Sequence, residues 1–172
     1  MPNWCENSLS VKGDKESLSH FMTAIQKDNE IDFTLLVPRP SDKDEDWYNW
    51  NYDNWGTKWA PSEIQLQSIS ENSAEFLFVT PWGTSDRLFT NIAAIYPTLD
   101  FTLSYSESGM GFCGAIRWTD GKVSGDCHVS DYTADPRLAH FRDKEKYTDE
   151  DYEFMCDIEN TIRNECIEAV GG

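Results

Sequence analysis

Polar and apolar residues alternate over residues 7–11 (Ser8, Leu9, Ser10 and Val11), which predicts a strand with one buried face; Gly13 stops it and Asp14 is placed to cap a helix. Leu18, Phe21, Met22 and Ile25 then recur at the i, i+3, i+4, i+7 spacing of an amphipathic helix, expected over 15–28. Residues 31–37 read as a short strand ended by Pro38 and Pro40, and a charged loop follows at 41–46. Residues 64–69 and 74–79 read as two strands turning at Glu71, Asn72 and Ser73. Leu88, Phe89, Ile92 and Tyr96 mark a second amphipathic helix over 85–96, closed by Pro97, and 99–105 alternates again.

Strand, helix, strand, strand, helix, strand is the order of a split βαβ sandwich of the ferredoxin-like α+β class. A further hairpin at 114–118 and 122–129, turned by Asp120 and Gly121, extends the antiparallel sheet. Thr148 with Asp151 forms a capping box for a long C-terminal helix over 149–169, whose apolar stripe is Met155, Ile158, Ile162, Cys166 and Ala169. At 172 residues the chain suits a single domain over 1–172. Residues 1–130 form its core, with a Trp-rich insertion at 38–61, and residues 131–172 an acidic extension with a helix.

The insertion carries WYNWNYDNWGTKW over residues 47–59. Tyr48, Tyr52, Trp55 and Trp59 recur at helical spacing, while Asn49, Asn51, Asn54 and Gly56 weaken a helix there, Gly by roughly 1 kcal/mol against Ala. Two readings stay open. The segment is a lid burying its rings on the sheet, or it leaves Trp47, Tyr48 and Trp50 exposed as a partner-binding surface. Trp4, Trp55, Trp59 and Trp82 are read as structural aromatics, with Trp55 and Trp59 buried deeper than Trp47 or Trp50.

Charge narrows the partners. Fourteen basic against 31 acidic residues give a net charge of −17, which repels a phosphate backbone and attracts basic protein surfaces. Direct nucleic-acid binding is therefore not expected. Glu150, Glu153, Asp157 and Glu168 fall on one side of the C-terminal helix, opposite its apolar stripe, as a solvated face or a docking face. With neither a basic, apolar leader nor an 18-residue apolar run, a cytoplasmic, non-membrane protein is expected. Cys5, Cys113, Cys127, Cys156 and Cys166 are odd in number and lack a C-x-x-C pair, so they read as reduced structural thiols.

No motif supplies chemistry. Residues 109–114 match G-x-G-x-x-G but run on into a strand, where a dinucleotide site needs a helix; a glycine-permitted bend is the better reading. Asp42, Asp44, Asp46 and Asp53 have calcium-loop spacing, yet Trp47 stands where that loop requires Gly. His20, His128 and His140 lie in separate segments, and Cys127 and His128, adjacent on a strand, point to opposite faces. No catalytic residue, metal or cofactor is assigned, and a binding protein is favoured over an enzyme.

The stretches Met1–Asn7 with Leu9, Val11 and Gly13, then Asn54-Trp55-Gly56-Thr57-Lys58-Trp59, Phe78-Val79-Thr80-Pro81-Trp82 and Gly111-Phe112-Cys113-Gly114 resemble the YubB-like family of phage and plasmid proteins with a ferredoxin-like domain. The resemblance spans about residues 1–125 and leaves the acidic helix outside. It implies carriage on mobile genetic elements and the same fold, and brings no catalytic residues. Joined to the charge, it suggests an inhibitor of a host defence nuclease, resembling an anti-CRISPR, that binds the basic surface of a nucleic-acid-binding protein or ribonucleoprotein effector in the host cytoplasm. The alternative is a small-ligand or nucleotide-binding domain, or an enzyme, using a pocket beneath the tryptophans.

Overall fold

The computed structural model describes residues 3–141 and 144–171. Strand β1 (Trp4–Gly13) is followed by helix α1 (Lys15–Ala24), a two-residue ladder of β2 (Gln26–Lys27) with β3 (Glu30–Ile31), and helix α2 (Trp47–Trp55). Then come β4 (Ser62–Ile69), β5 (Ser73–Pro81), α3 (Asp86–Ile95), β6 (Leu99–Glu107), β7 (Phe112–Thr119), β8 (Lys122–Val129) and α4 (Asp149–Ala169). The main sheet has six strands in the order β4-β5-β1-β6-β7-β8, each pair antiparallel. Its first four strands are the split βαβ arrangement expected from the alternation, and the 112–129 hairpin adds the last two.

β1 occupies the centre, pairing Asn7 with Phe78 on one side and with Tyr105 on the other. Its odd residues Cys5, Leu9 and Val11 are fully buried against α1 and α3, which contribute Leu18, Phe21, Leu88, Phe89 and Ile92. Edge-to-face rings knit this layer: Phe21 meets Phe76, Tyr96 and Phe101, and Phe33 meets Phe76, Phe78 and Phe89, at centroid distances of 5.2–6.4 Å. Each such buried ring contributes about 1.5–3 kcal/mol by leaving water.

The even residues of β1 face the other way, where α4 covers β6, β7 and β8. Alternation on β7 sends Ile116 and Trp118 into the first core, and Cys113 and Ala115 toward Ile158, Ile162, Cys166 and Val170. Two layers thus sandwich the β6–β8 part of the sheet.

Three expectations are corrected. The strand expected over 31–37 stops at Ile31, the end of β3: Asp32 accepts from the Thr34 N–H at 2.8 Å and the Thr34 hydroxyl at 2.6 Å, turning the chain into a 3-10 helix (Phe33–Leu36) that drives Phe33 into the core. α1 stops at Ala24 rather than 28, since Asp28 and Asn29 both take positive φ, 53° and 68°, as the turn of the β2–β3 ladder. The cysteines are not all reduced: Cys127 on β8 is bonded to Cys166 on α4 across 39 residues, while Cys5, Cys113 and Cys156 are free thiols. Packing of α4 on the sheet brings that pair together, so the thiols lend no support to a reducing compartment.

Candidate functional site

The Trp-rich insertion is a helix over Trp47–Trp55 that ends where Gly56 turns left-handed at φ 83°. The end comes before Trp59, so the four rings at helical spacing do not share one face. Asn51 and Trp55 are the buried side chains of α2. The Trp55 indole donates to the Val37 carbonyl at 2.9 Å and meets Trp50 edge-on at 5.5 Å. Asn51 accepts from the Arg39 guanidinium at 3.2 Å and donates to the Lys58 carbonyl at 2.8 Å, which ties the helix to the strap that follows it.

The exposed and buried rings match the expectation only at Trp55 and Tyr48. Trp55 is buried at 7% exposure, as read, but Trp4, Trp59 and Trp82, taken as structural, stand 46%, 41% and 37% exposed. Trp47 and Trp50 are half-buried, and of the expected surface trio only Tyr48 is exposed. Tyr48, Trp59 and Trp82 instead gather round one cation, the Lys58 ammonium, which lies 5.9, 4.6 and 5.4 Å from their ring centroids. Trp59 and Trp82 are themselves 5.5 Å apart.

α4 carries the acidic surface. Its capping box forms as read, with Thr148 and Asp151 satisfying each other's backbone N–H groups. Ile158, Ile162 and Cys166 are buried, Met155 is half-buried, and Ala169 is exposed, with Val170 packing in its place. Glu150, Glu153, Asp157 and Glu168 are all exposed, and none of them enters an ion pair among the described residues. Tyr152 and Phe154 stand exposed on the same helix. Because α2 packs in the α1/α3 layer and α4 on the opposite face of the sheet, the aromatic cluster and the acidic helix are separate surfaces.

Two buried carboxylates were not foreseen. Glu107 closes the 109–111 turn by accepting from the Gly109 N–H at 2.8 Å and the Met110 N–H at 2.7 Å. Glu159, on the buried side of α4, accepts from the Tyr132 hydroxyl at 2.7 Å and the Ser108 hydroxyl at 3.0 Å. The Tyr132 hydroxyl is driven upward by burial and by that carboxylate. Glu159, through Tyr132 and Ser108, anchors α4 to the β6–β7 end of the sheet, where Gly111 takes φ 74° in the glycine-permitted bend read from the sequence.

Groups capable of chemistry are dispersed or held inert. Burial pushes the Cys5 thiol up to about 12 and the Cys113 thiol up to about 11, far from a thiolate at neutral pH. His128 Nδ1 and the Tyr105 hydroxyl share a hydrogen bond at 2.9 Å, and the ring faces away from Cys127, as the strand alternation requires. A groove of about 440 Å³ lies between α1 and the end of β4, lined by Leu18, Met22 and Ile69, and another of about 480 Å³ lies beside Leu138 and Met155. Neither has a tryptophan in its wall. Among the described residues no helix is long and apolar enough to cross a membrane.

A family model described as the ferredoxin-like domain in Api92-like protein matches residues 54–162, more than half of the chain. The match takes in the strap with Lys58 and Trp59, strands β4 to β8, and α4 as far as Ile162, so the acidic helix falls largely within it. The crystal structure of protein api92 from Yersinia pseudotuberculosis superposes with a TM-score of 0.63 at 9% identity, covering 75% of this chain and 98% of that one. At that identity the likeness concerns the fold. No curated protein matches the chain.

Proposed function

This chain belongs to the family of ferredoxin-like domains in Api92-like proteins, and from that premise we propose that it works by binding: its acidic helix docks on the basic surface of a nucleic-acid-handling protein and competes there with nucleic acid. The observation that carries this reading is the face of α4, where Glu150, Glu153, Asp157 and Glu168 are exposed and enter no ion pair among the described residues, on a chain of net charge −17. Such a face steers toward Lys- and Arg-lined surface, and the exposed Phe154, which helix phase sets next to it, supplies the apolar contact that charge alone does not. The sequence resemblance to proteins of phages and plasmids supports a host defence nuclease as the target, in the manner of an anti-CRISPR, met in the host cytoplasm. The aromatic anchor moves from Trp47 and Trp50 to α4, since those two rings are half-buried in the opposite layer.

The test is a competition between the protein and guide RNA or DNA for a candidate defence effector, with wild type beside a variant carrying Lys at positions 150, 153, 157 and 168. The variant is expected to associate more slowly with its fold intact, and wild-type association to weaken as salt rises, because exposed charges are screened over about 8 Å at physiological ionic strength. Equal competition by both proteins would remove α4 from the mechanism. A nucleotide that raises the melting temperature of both would favour the ligand-binding alternative.

A further inference from the structure

The Lys58 ammonium is held by ring faces: Trp59, Trp82 and Tyr48 lie within 6 Å of it, the range over which a cation is attracted to an aromatic quadrupole. In a chain with 31 acidic residues, no carboxylate forms an ion pair with it among the described residues. The frame round it is fixed independently of the cation. Thr57, fully buried, donates its hydroxyl to the Trp59 carbonyl at 2.8 Å, and buried Asn51 donates to the Lys58 carbonyl at 2.8 Å, so the strap backbone is tied from below.

Trp82 adds a second, separate observation. Its φ of 60° lies in the left-handed region, which is unfavourable for a bulky side chain, and its N–H is pinned to the Asn3 carbonyl at 2.9 Å. The surroundings impose this backbone, and it sets a large apolar ring beside Trp59, half in water. Strain of this kind collects at binding sites.

We infer that Tyr48, Trp59 and Trp82 form an aromatic cage for a compact quaternary ammonium cation, and that Lys58 is the chain's own occupant of that cage. The chemistry of the two cations sets the preference. A primary ammonium is strongly hydrated through its three N–H donors. A tetra-alkyl nitrogen has none to lose, so it enters an aromatic cage at less desolvation penalty. Lys58 competes as a tethered group, with an effective concentration on the order of millimolar, and the ligand must displace it. This site is independent of α4 and lies in the opposite layer.

Indole N–H resonances of the full chain, followed while tetramethylammonium or choline is added, test the inference. Saturable shifts of Trp59 and Trp82, with Trp55 unmoved, are the expected result. Lys58→Met keeps the apolar stem and vacates the cage, and should bind roughly tenfold tighter. Trp59→Ala, which removes one exposed wall, should abolish the shifts while the melting temperature stays near wild type. A trimethyllysine peptide compared with free choline identifies whether the cation comes on a side chain or as a small molecule, the tighter one naming the source. The neutral isostere 3,3-dimethylbutanol separates cation recognition from a greasy pocket. Equal binding of that alcohol, or no saturable shift in Lys58→Met with either cation, overturns the assignment.

Discussion

Cys127 on the edge strand β8 is disulfide-bonded to Cys166 in the last turns of α4, with their Cα atoms 5.2 Å apart. The bond fastens the C-terminal end of α4 to the sheet, where Ala115 and Val170 complete a small apolar cluster. Its other anchor is Glu159, nearer the middle of the helix.

Opening that bond should lower stability by about 2–4 kcal/mol, the usual effect of releasing a loop of this length. Urea unfolding with and without a thiol reductant measures it, and Cys127→Ser should match the reduced wild type. Coincident curves would mean that α4 docks without the covalent tie.

Glycines inside the 112–129 hairpin set close approaches. A Cβ on Gly114 would stand 2.5 Å from the Cys127 carbonyl and 2.5 Å from the Tyr105 hydroxyl, and one on Gly125 would stand 2.8 Å from Val170. Gly114→Ala and Gly125→Ala should each destabilise by about 1–3 kcal/mol, as overpacking does, the first also displacing the Tyr105–His128 hydrogen bond. Gly83→Ala meets open space and should be neutral within about 0.5 kcal/mol, a contrast that thermal melts of the three variants can check.

Trp55→Ala should destabilise by about 3–5 kcal/mol, because a buried ring and its bond to Val37 are both lost. Tyr48→Ala, on the exposed side of the same helix, should change stability by less than about 1 kcal/mol. Chemical denaturation distinguishes them; similar losses would mean that the whole insertion folds as one rigid unit.

The Lys144 ammonium, helped by the Thr148 N–H, holds the Asp151 carboxyl down from 3.8 to about 2. A carboxylate depressed on folding adds stability that is complete above 3.8 and is lost as pH falls toward about 2. Acid should therefore loosen the first turn of α4 in that window, and Asp151→Asn should flatten the response. Carbon-13 carboxyl titration measures the pKa directly, and a midpoint at the ordinary value would remove the coupling.

The order of elements was legible because it rests on local periodicity. Leu9 and Val11, Leu18 to Ile25, Leu88 to Ile92 and the Thr148–Asp151 box each state a period or a cap within a few residues, and two of the antiparallel pairings follow from short turns. The four exposed carboxylates of α4 were legible for the same reason, being fixed by helix phase against the apolar stripe. The helical spacing of Tyr48, Tyr52, Trp55 and Trp59 misled because a left-handed Gly56 cuts the period before Trp59, and a buried Asn51 takes the place an apolar residue would hold.

What the sequence by itself determined is therefore the ferredoxin-like order, the helix caps and the strong negative charge, all properties of neighbours along the chain or of composition. Only the tertiary structure decided that Trp59 and Trp82 enclose Lys58, that Cys127 meets Cys166, and that Glu159 turns inward to Tyr132 and Ser108. In most of these the partners lie more than twenty residues apart and meet because the sheet brings distant segments side by side. A side chain's burial follows from what packs over it, and no period along the chain encodes that.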